Sequence, residues 1–251
     1  MKKKSDRTAA SKKKNAGPAP DAGAAVAALK RLASKKTRDG MLRYGIPQDN
    51  AFGVPVSKIQ QLAKQLGRSH ELAAALWETG WYEARMLAAY VDEPERVTPA
   101  QMDRWCRDFD NWGIVDTVCF VLFDRTPHAW GKVEPWSERG AEFEKRAGFV
   151  LLACLAAHDK AARDAQFLAL LPLVERHAGD ERNFVKKGIS WALRMVGRRS
   201  PVLNVAAVRV AKHLAKAPEA AARWVGKEAL RELTSPGVTK KLAARRRAAA
   251  G

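Results

Sequence analysis

The sequence has little cysteine and no long apolar run, and both shortages limit what it encodes. Cys106, Cys119 and Cys154 are the only three thiols in 251 residues. They are odd in number, widely spaced and never in C-x-x-C, which argues against a disulfide framework and a thiolate zinc site. Three small buried apolar residues are expected instead. No stretch approaches the roughly 18 to 20 apolar residues that span a bilayer. Gly23 to Leu29 is too short and too far from the start for a signal peptide. A soluble cytoplasmic chain without a membrane partner is expected. Alternating strand patterns are almost absent, and so are the common catalytic signatures. There is no H-E-x-x-H, phosphate-binding loop, G-x-S-x-G or dinucleotide-binding glycine pattern, and His70, His128, His158, His177 and His213 lack metal-ligand spacing. No metal or cofactor is expected.

Acidic residues are the remaining shortage. Against 27 Asp and Glu stand 45 Lys and Arg, a formal charge of +18 and a sequence pI near 10.1. The excess is uneven: residues 1–14 carry +6, residues 15–181 carry −2, residues 182–241 carry +11 and the last ten add Arg245, Arg246 and Arg247. A polyanionic partner should therefore meet the C-terminal block. Residues 1–20 have lysine clusters, Pro, Gly and Ser but no large apolar side chain, and read as a disordered basic tail. Residues 21–238 read as one helical domain and 239–251 as a basic C-terminal tail.

Between the ends, apolar positions recur every three or four residues, which is an all-α pattern. Thr98-Pro99 and Ser200-Pro201 place an N-cap before a helix-starting proline, and Gly67, Gly80, Gly179 and Gly197 read as stops. Candidate helices run over 22–36, 55–67, 70–79, 82–91, 99–108, 111–124, 140–158, 164–177, 182–196, 201–216, 218–233 and 237–247, and GKVEPWSERG beside Trp130 is an insertion or a short extra helix. A dozen short helices with tight connections fit stacked antiparallel pairs of HEAT type, at ~40 to 47 residues per pair, better than a four-helix bundle. Such a stack offers a concave surface. Most of the eight tryptophans should pack in the core.

Three constellations could carry chemistry. Gly113 to Phe123 is apolar except for Asp116 and Thr117, so Asp116 must meet a partner, take up a proton or face a cavity. Trp112, four residues earlier, shares its helix face. Arg146 is the last charge before eleven uncharged residues, and either pairs with Asp116 or grips a phosphate. Lys187, Trp191, Arg194 and Arg198 form one helical stripe opposite Val185, Ile189, Ala192 and Val196. The stripe serves either as a cationic and aromatic surface for nucleic acid or as a half-buried Trp under solvated stems.

FDNWGIVDTVC (Phe109 to Cys119), the helix start at Lys145-Arg146, and FVKKGISWALR (Phe184 to Arg194) resemble signature segments of the AlkD-like DNA alkylation repair glycosylases. YEARMLAAYVDEP, QMDRWCRDF and FGVPVSKIQQLAK agree more weakly, and the resemblance spans roughly residues 40 to 235. It implies a HEAT-like α-solenoid, a right-handed α-α superhelix whose concave basic face holds double-stranded DNA. The implied activity is cofactor-free hydrolysis of the N-glycosidic bond of N3- or N7-alkylated purines, without flipping the base into a pocket. Asp116 would be the catalytic carboxylate, with Trp112 and Trp191 flanking the deoxyribose. Arg146 would hold phosphate near the lesion, and Lys187, Arg194 and Arg198 would add DNA contacts, with Tyr44 a further DNA-facing residue. No sequence feature points to oligomerisation, so a monomer is expected, associated with the nucleoid when bound to DNA. Two other readings stand beside this one: a non-catalytic solenoid that binds DNA structures, and a solenoid whose basic block meets an acidic protein.

Overall fold

The computed structural model describes residues 21–248, and the expected basic tail over residues 1–20 lies outside them. The described residues form fourteen α-helices with no strand. They are α1 Ala22–Arg31, α2 Lys35–Met41, α3 Val56–Leu66, α4 His70–Glu78, α5 Tyr82–Val91, α6 Pro99–Arg107 and α7 Trp112–Val121. After these come α8 Trp130–Ser137, α9 Glu142–His158, α10 Asp164–His177, α11 Asn183–Gly197, α12 Pro201–Leu214, α13 Ala220–Leu233 and α14 Pro236–Ala248. Short 3-10 turns occupy Leu42–Tyr44 and Phe123–Arg125.

Local chemistry explains the starts. Thr98 Oγ1 accepts from the Gln101 amide at 3.1 Å and Ser200 Oγ from the Leu203 amide at 3.1 Å, each before a proline at the first helical position. Asn111 Oδ1 caps α7 by accepting from the Ile114 amide at 3.0 Å. These bonds satisfy amides that have no intrahelical acceptor. The single helix expected over 22–36 is broken, because Ser34 accepts from the Thr37 amide at 3.2 Å and starts α2. The irregular stretch after Trp130 is the helix α8, which holds Pro135 inside it.

Gly67 and Gly80 end their helices at φ +76° and +72°, a region other side chains rarely adopt. Gly197 does not stop α11 in this way. It is the last helical residue, and a Cβ there would sit 2.8 Å from Ala207 Cβ, so it serves close packing instead.

Helices α5, α7, α9, α11 and α13 each pack on the next to form one layer, and α8, α10 and α12 form a second. Pairs α8 with α9, α10 with α11 and α12 with α13 join the two layers, and α4 packs on α5 at the N-terminal end. This is the stacked-pair arrangement that short, tightly connected helices favour. Helix α9 lies at the centre, against α6, α7, α8 and α11, and Arg146 to Ala156 are all buried. A helix that is apolar all round requires neighbours on every side, which explains the long uncharged run after Arg146. Trp77, Trp105 and Trp136 are fully buried, with Trp77 stacked on Trp105 at 3.9 Å. The three thiols are free and buried. Among the described residues no helix is long and apolar enough to cross a membrane. The helix expected over 237–247, running into the segment read as a basic tail, is α14, which buries Val238 and Leu242.

Candidate active site and nucleic-acid groove

Most functional candidates fall on α7, α9 and α11, three consecutive helices of one layer, with Arg198 capping the end of α11 and Tyr44 in the 3-10 turn after α2. Helical spacing puts Trp112 and Asp116 on the same face of α7. The Trp112 indole donates to the Tyr44 carbonyl at 2.7 Å, which ties α7 to the loop after α2. That loop turns at Gly45, φ +68°, where Phe184 from α11 packs so closely that a Cβ would meet its ring at 3.0 Å.

Asp116 does not stand alone. Arg146 Nε donates to Asp116 Oδ1 at 3.0 Å and Arg146 Nη2 to Oδ2 at 2.8 Å. Arg146 Nη1 donates to the Phe184 carbonyl at 2.6 Å. The fork matches an ionised carboxylate with two accepting oxygens. Burial pushes the Asp116 carboxyl above the usual aspartate value, and the charge and hydrogen bonds of Arg146 pull it back without cancelling the rise. Arg146 is 5% exposed, whereas the Asp116 side chain keeps 23% of its surface open.

That opening leads into two cavities. One, of about 520 Å³, lies between Arg43 and Tyr44, Trp112, Phe184 and Lys187, with Asp116 and Arg146 on its wall. The other, of about 400 Å³, shares Asp116, Arg146 and Lys187 and continues to Trp191, Trp224 and Arg198. Together they form one groove with the ion pair between its halves. Asp116, Trp112, Trp191, Arg146, Lys187, Arg194 and Arg198 all line it. The opposite face of α11 is core, with Val185, Ile189, Ala192 and Val196 at 0% exposure.

Their surroundings differ from the simple stripe. Three of the five Arg146 N–H groups are used inside the protein, so the phosphate contact expected of it is left to the other two. Arg194 and Arg198 share one carboxylate, with Arg194 Nη1 at 2.6 Å and Arg198 Nη1 at 3.1 Å from Glu232. Lys187 is exposed and forms no ion pair among the described residues. Tyr44 is 67% exposed.

Sequence reasoning missed Arg43, the Phe184 carbonyl, Trp224 and Glu232. Trp224, Glu228 and Glu232 recur at steps of four on α13, so their shared face was readable from spacing. The Phe184 carbonyl left no side-chain signal. Among the described residues no three His, Cys, Asp or Glu side chains gather as a metal site.

Fold and groove define an all-helical repeat protein with a buried ion pair opening between aromatic walls. The DNA alkylation repair enzyme family matches residues 25–233, and the chain belongs to that family. A solved structure superposes with a TM-score of 0.70 at 22% sequence identity, covering 85% of this chain and 96% of that one. It is described as a new family of proteins related to the HEAT-like repeat DNA glycosylases with affinity for branched DNA structures. The fold is therefore that of the HEAT-like repeat glycosylases. No curated protein sequence matches the chain significantly.

Proposed function

We propose that this protein is a DNA glycosylase that hydrolyses the N-glycosidic bond of cationic N3- and N7-alkylated purines in duplex DNA. The observation that carries the reading is Asp116, a forked carboxylate at the junction of a groove with Trp112 on one side and Trp191 on the other. Alkylation at N3 or N7 makes the purine a good leaving group. When the bond breaks, its electron pair neutralises the base and positive charge develops on the sugar. An adjacent carboxylate stabilises that charge and orients water, which adds to the anomeric carbon and gives its proton to solvent.

Arg146 uses two of about four lone-pair positions on the carboxylate, so Asp116 retains acceptors for water. In this mechanism Arg146 positions Asp116 and directs its remaining donors to a nearby phosphate. Trp112 and Trp191 pack against the electron-poor C–H groups of the deoxyribose. Lys187, Arg194 and Arg198 contact the DNA backbone, together with Arg43. The chemistry uses no metal or cofactor.

The test is release of free base from DNA containing N7-methylguanine or N3-methyladenine, comparing the protein with Asp116→Asn. A loss of about 10² to 10³ in rate is expected, the scale for removing a charge-stabilising group. A folded variant that releases base at the parental rate overturns the mechanism.

Two observations favour a second reading, in which the groove binds DNA structures without excision. The guanidinium already neutralises Asp116, and the solved relative is described by affinity for branched DNA. Binding of DNA by both proteins without base release from either would select this reading.

A further inference from the structure

The groove does not end at Arg198. Met195 and Arg198 also line a third cavity of about 610 Å³, at the end of α11 and beside α14. Lys160, Arg198, Arg199 and Arg245 face it, against Asp164 as the one carboxylate on its wall among the described residues. Asp164 accepts the Ser200 hydroxyl at 2.5 Å.

Each of three cations is held by backbone carbonyls. Arg199 donates to Ala156 and Ala162 at 3.1 and 2.7 Å, and Lys160 donates to Ala157. Arg245 reaches from α14 to the carbonyls of Arg198 and Arg199 at 3.0 and 2.5 Å. The bonds to Ala156, Ala157 and Arg198 cap the C-terminal ends of α9 and α11, and those to Ala162 and Arg199 hold the loops that follow, which accounts for the position of each cation. Capping does not account for their number. Carbonyls carry no net charge, so these three side chains keep theirs, with no carboxylate partner among the described residues. Like charges around one cavity repel, and an anion entering it relieves that repulsion.

We infer that this cavity is a phosphate-binding site that takes a backbone phosphate of the nucleic-acid strand leaving the groove past Arg198. The inference rests on the DNA reading above. From Lys187 to Arg198 the helical rise amounts to about 16 Å. A strand advances about 3.4 Å per nucleotide, so the site lies on the order of five nucleotides beyond the groove centre. Helix α14 is then part of the DNA surface, held there by Arg245.

The test uses the full chain and K160Q/R245Q, whose glutamines can still donate to carbonyls but carry no charge. Two duplexes hold the same N7-methylguanine, flanked on each side by three or by ten base pairs. The double variant should lose roughly 3- to 10-fold in affinity for the long duplex, with a salt dependence of log K shallower by about 1 to 2. Its affinity for the short duplex should equal the parent's, and K160R/R245K, which keeps both charges, should restore long-duplex binding. Equal affinity of parent and K160Q/R245Q for the long duplex overturns the inference and leaves the glycosylase reading intact. Calorimetry with inorganic phosphate separates the two sources of the anion. If the parent binds phosphate through these residues but no DNA, the DNA reading falls and the site is one for free phosphate. If it binds neither, both fall.

Discussion

Arg146 meets Asp116 through two parallel hydrogen bonds, 3.0 and 2.8 Å long, between side chains on α9 and α7. The pair makes the ionisation of Asp116 depend on the guanidinium fork. Burial already raises this carboxyl above the ordinary 3.8, and Arg146 restrains the rise.

Arg146→Lys keeps the charge but loses the fork. Protonation of Asp116 removes the charge that assists bond breaking, so base release falls as pH drops through its pKa. Weakening the restraint raises that pKa. The acid limb of the pH–rate profile should therefore move to higher pH in the variant, with kcat/KM at neutral pH lower by about tenfold. A limb that stays in place would show that Arg146 does not control Asp116.

Glu232 occupies Arg194 and Arg198 as a phosphate would, at 2.6 and 3.1 Å. Glu232→Gln removes the competing charge. DNA binding should tighten by roughly 3- to 10-fold at low salt, and log K should fall more steeply with log salt. Titration at several salt concentrations reads both effects, and weaker binding at every salt would contradict the competition.

Asp180 is held down to about 2, first by its hydrogen bond to Arg182 at 2.6 Å, with Lys145 at 3.3 Å adding to it. A carboxyl lowered on folding contributes stability that is present above its unfolded value and disappears as pH falls through the folded one. Asp180→Asn should therefore destabilise the protein at neutral pH, by at most about 1 kcal/mol for a pair that solvent reaches. The difference between parent and variant should shrink from about pH 4 downward and vanish near pH 2. Urea melts at several pH values measure it.

Gly148 lets α9 lie against the end of α8. A Cβ there would stand 2.5 Å from the Ser137 amide nitrogen and 2.8 Å from the Val133 carbonyl. Backbone cannot swing aside as a side chain can, so Gly148→Ala should cost about 1 to 3 kcal/mol. Thermal unfolding should show a clear drop, and an unchanged midpoint would mean that the two helices separate at little cost.

Much of the molecule follows from local pattern. The capped prolines at Thr98-Pro99 and Ser200-Pro201, the shared face of Trp112 and Asp116, and the stripe from Lys187 to Arg198 are helical-period facts, and a helix repeats its faces wherever it packs. The sequence alone left Arg146 with two roles, ion pair or phosphate ligand, because the choice depends on how α7 and α9 pack rather than on the period of either helix. It also left Arg194 and Arg198 as unpaired cations, since Glu232 reaches them only when α13 lies against α11. The break at Ser34 was hidden because one hydroxyl to one amide outweighed a helical pattern continuous on either side. Helical periods and caps are short-range and were set by the sequence itself. The partners of Asp116, Arg194 and Arg245 are set by contacts between residues 30 or more positions apart, and only the stacking of the helices decided them.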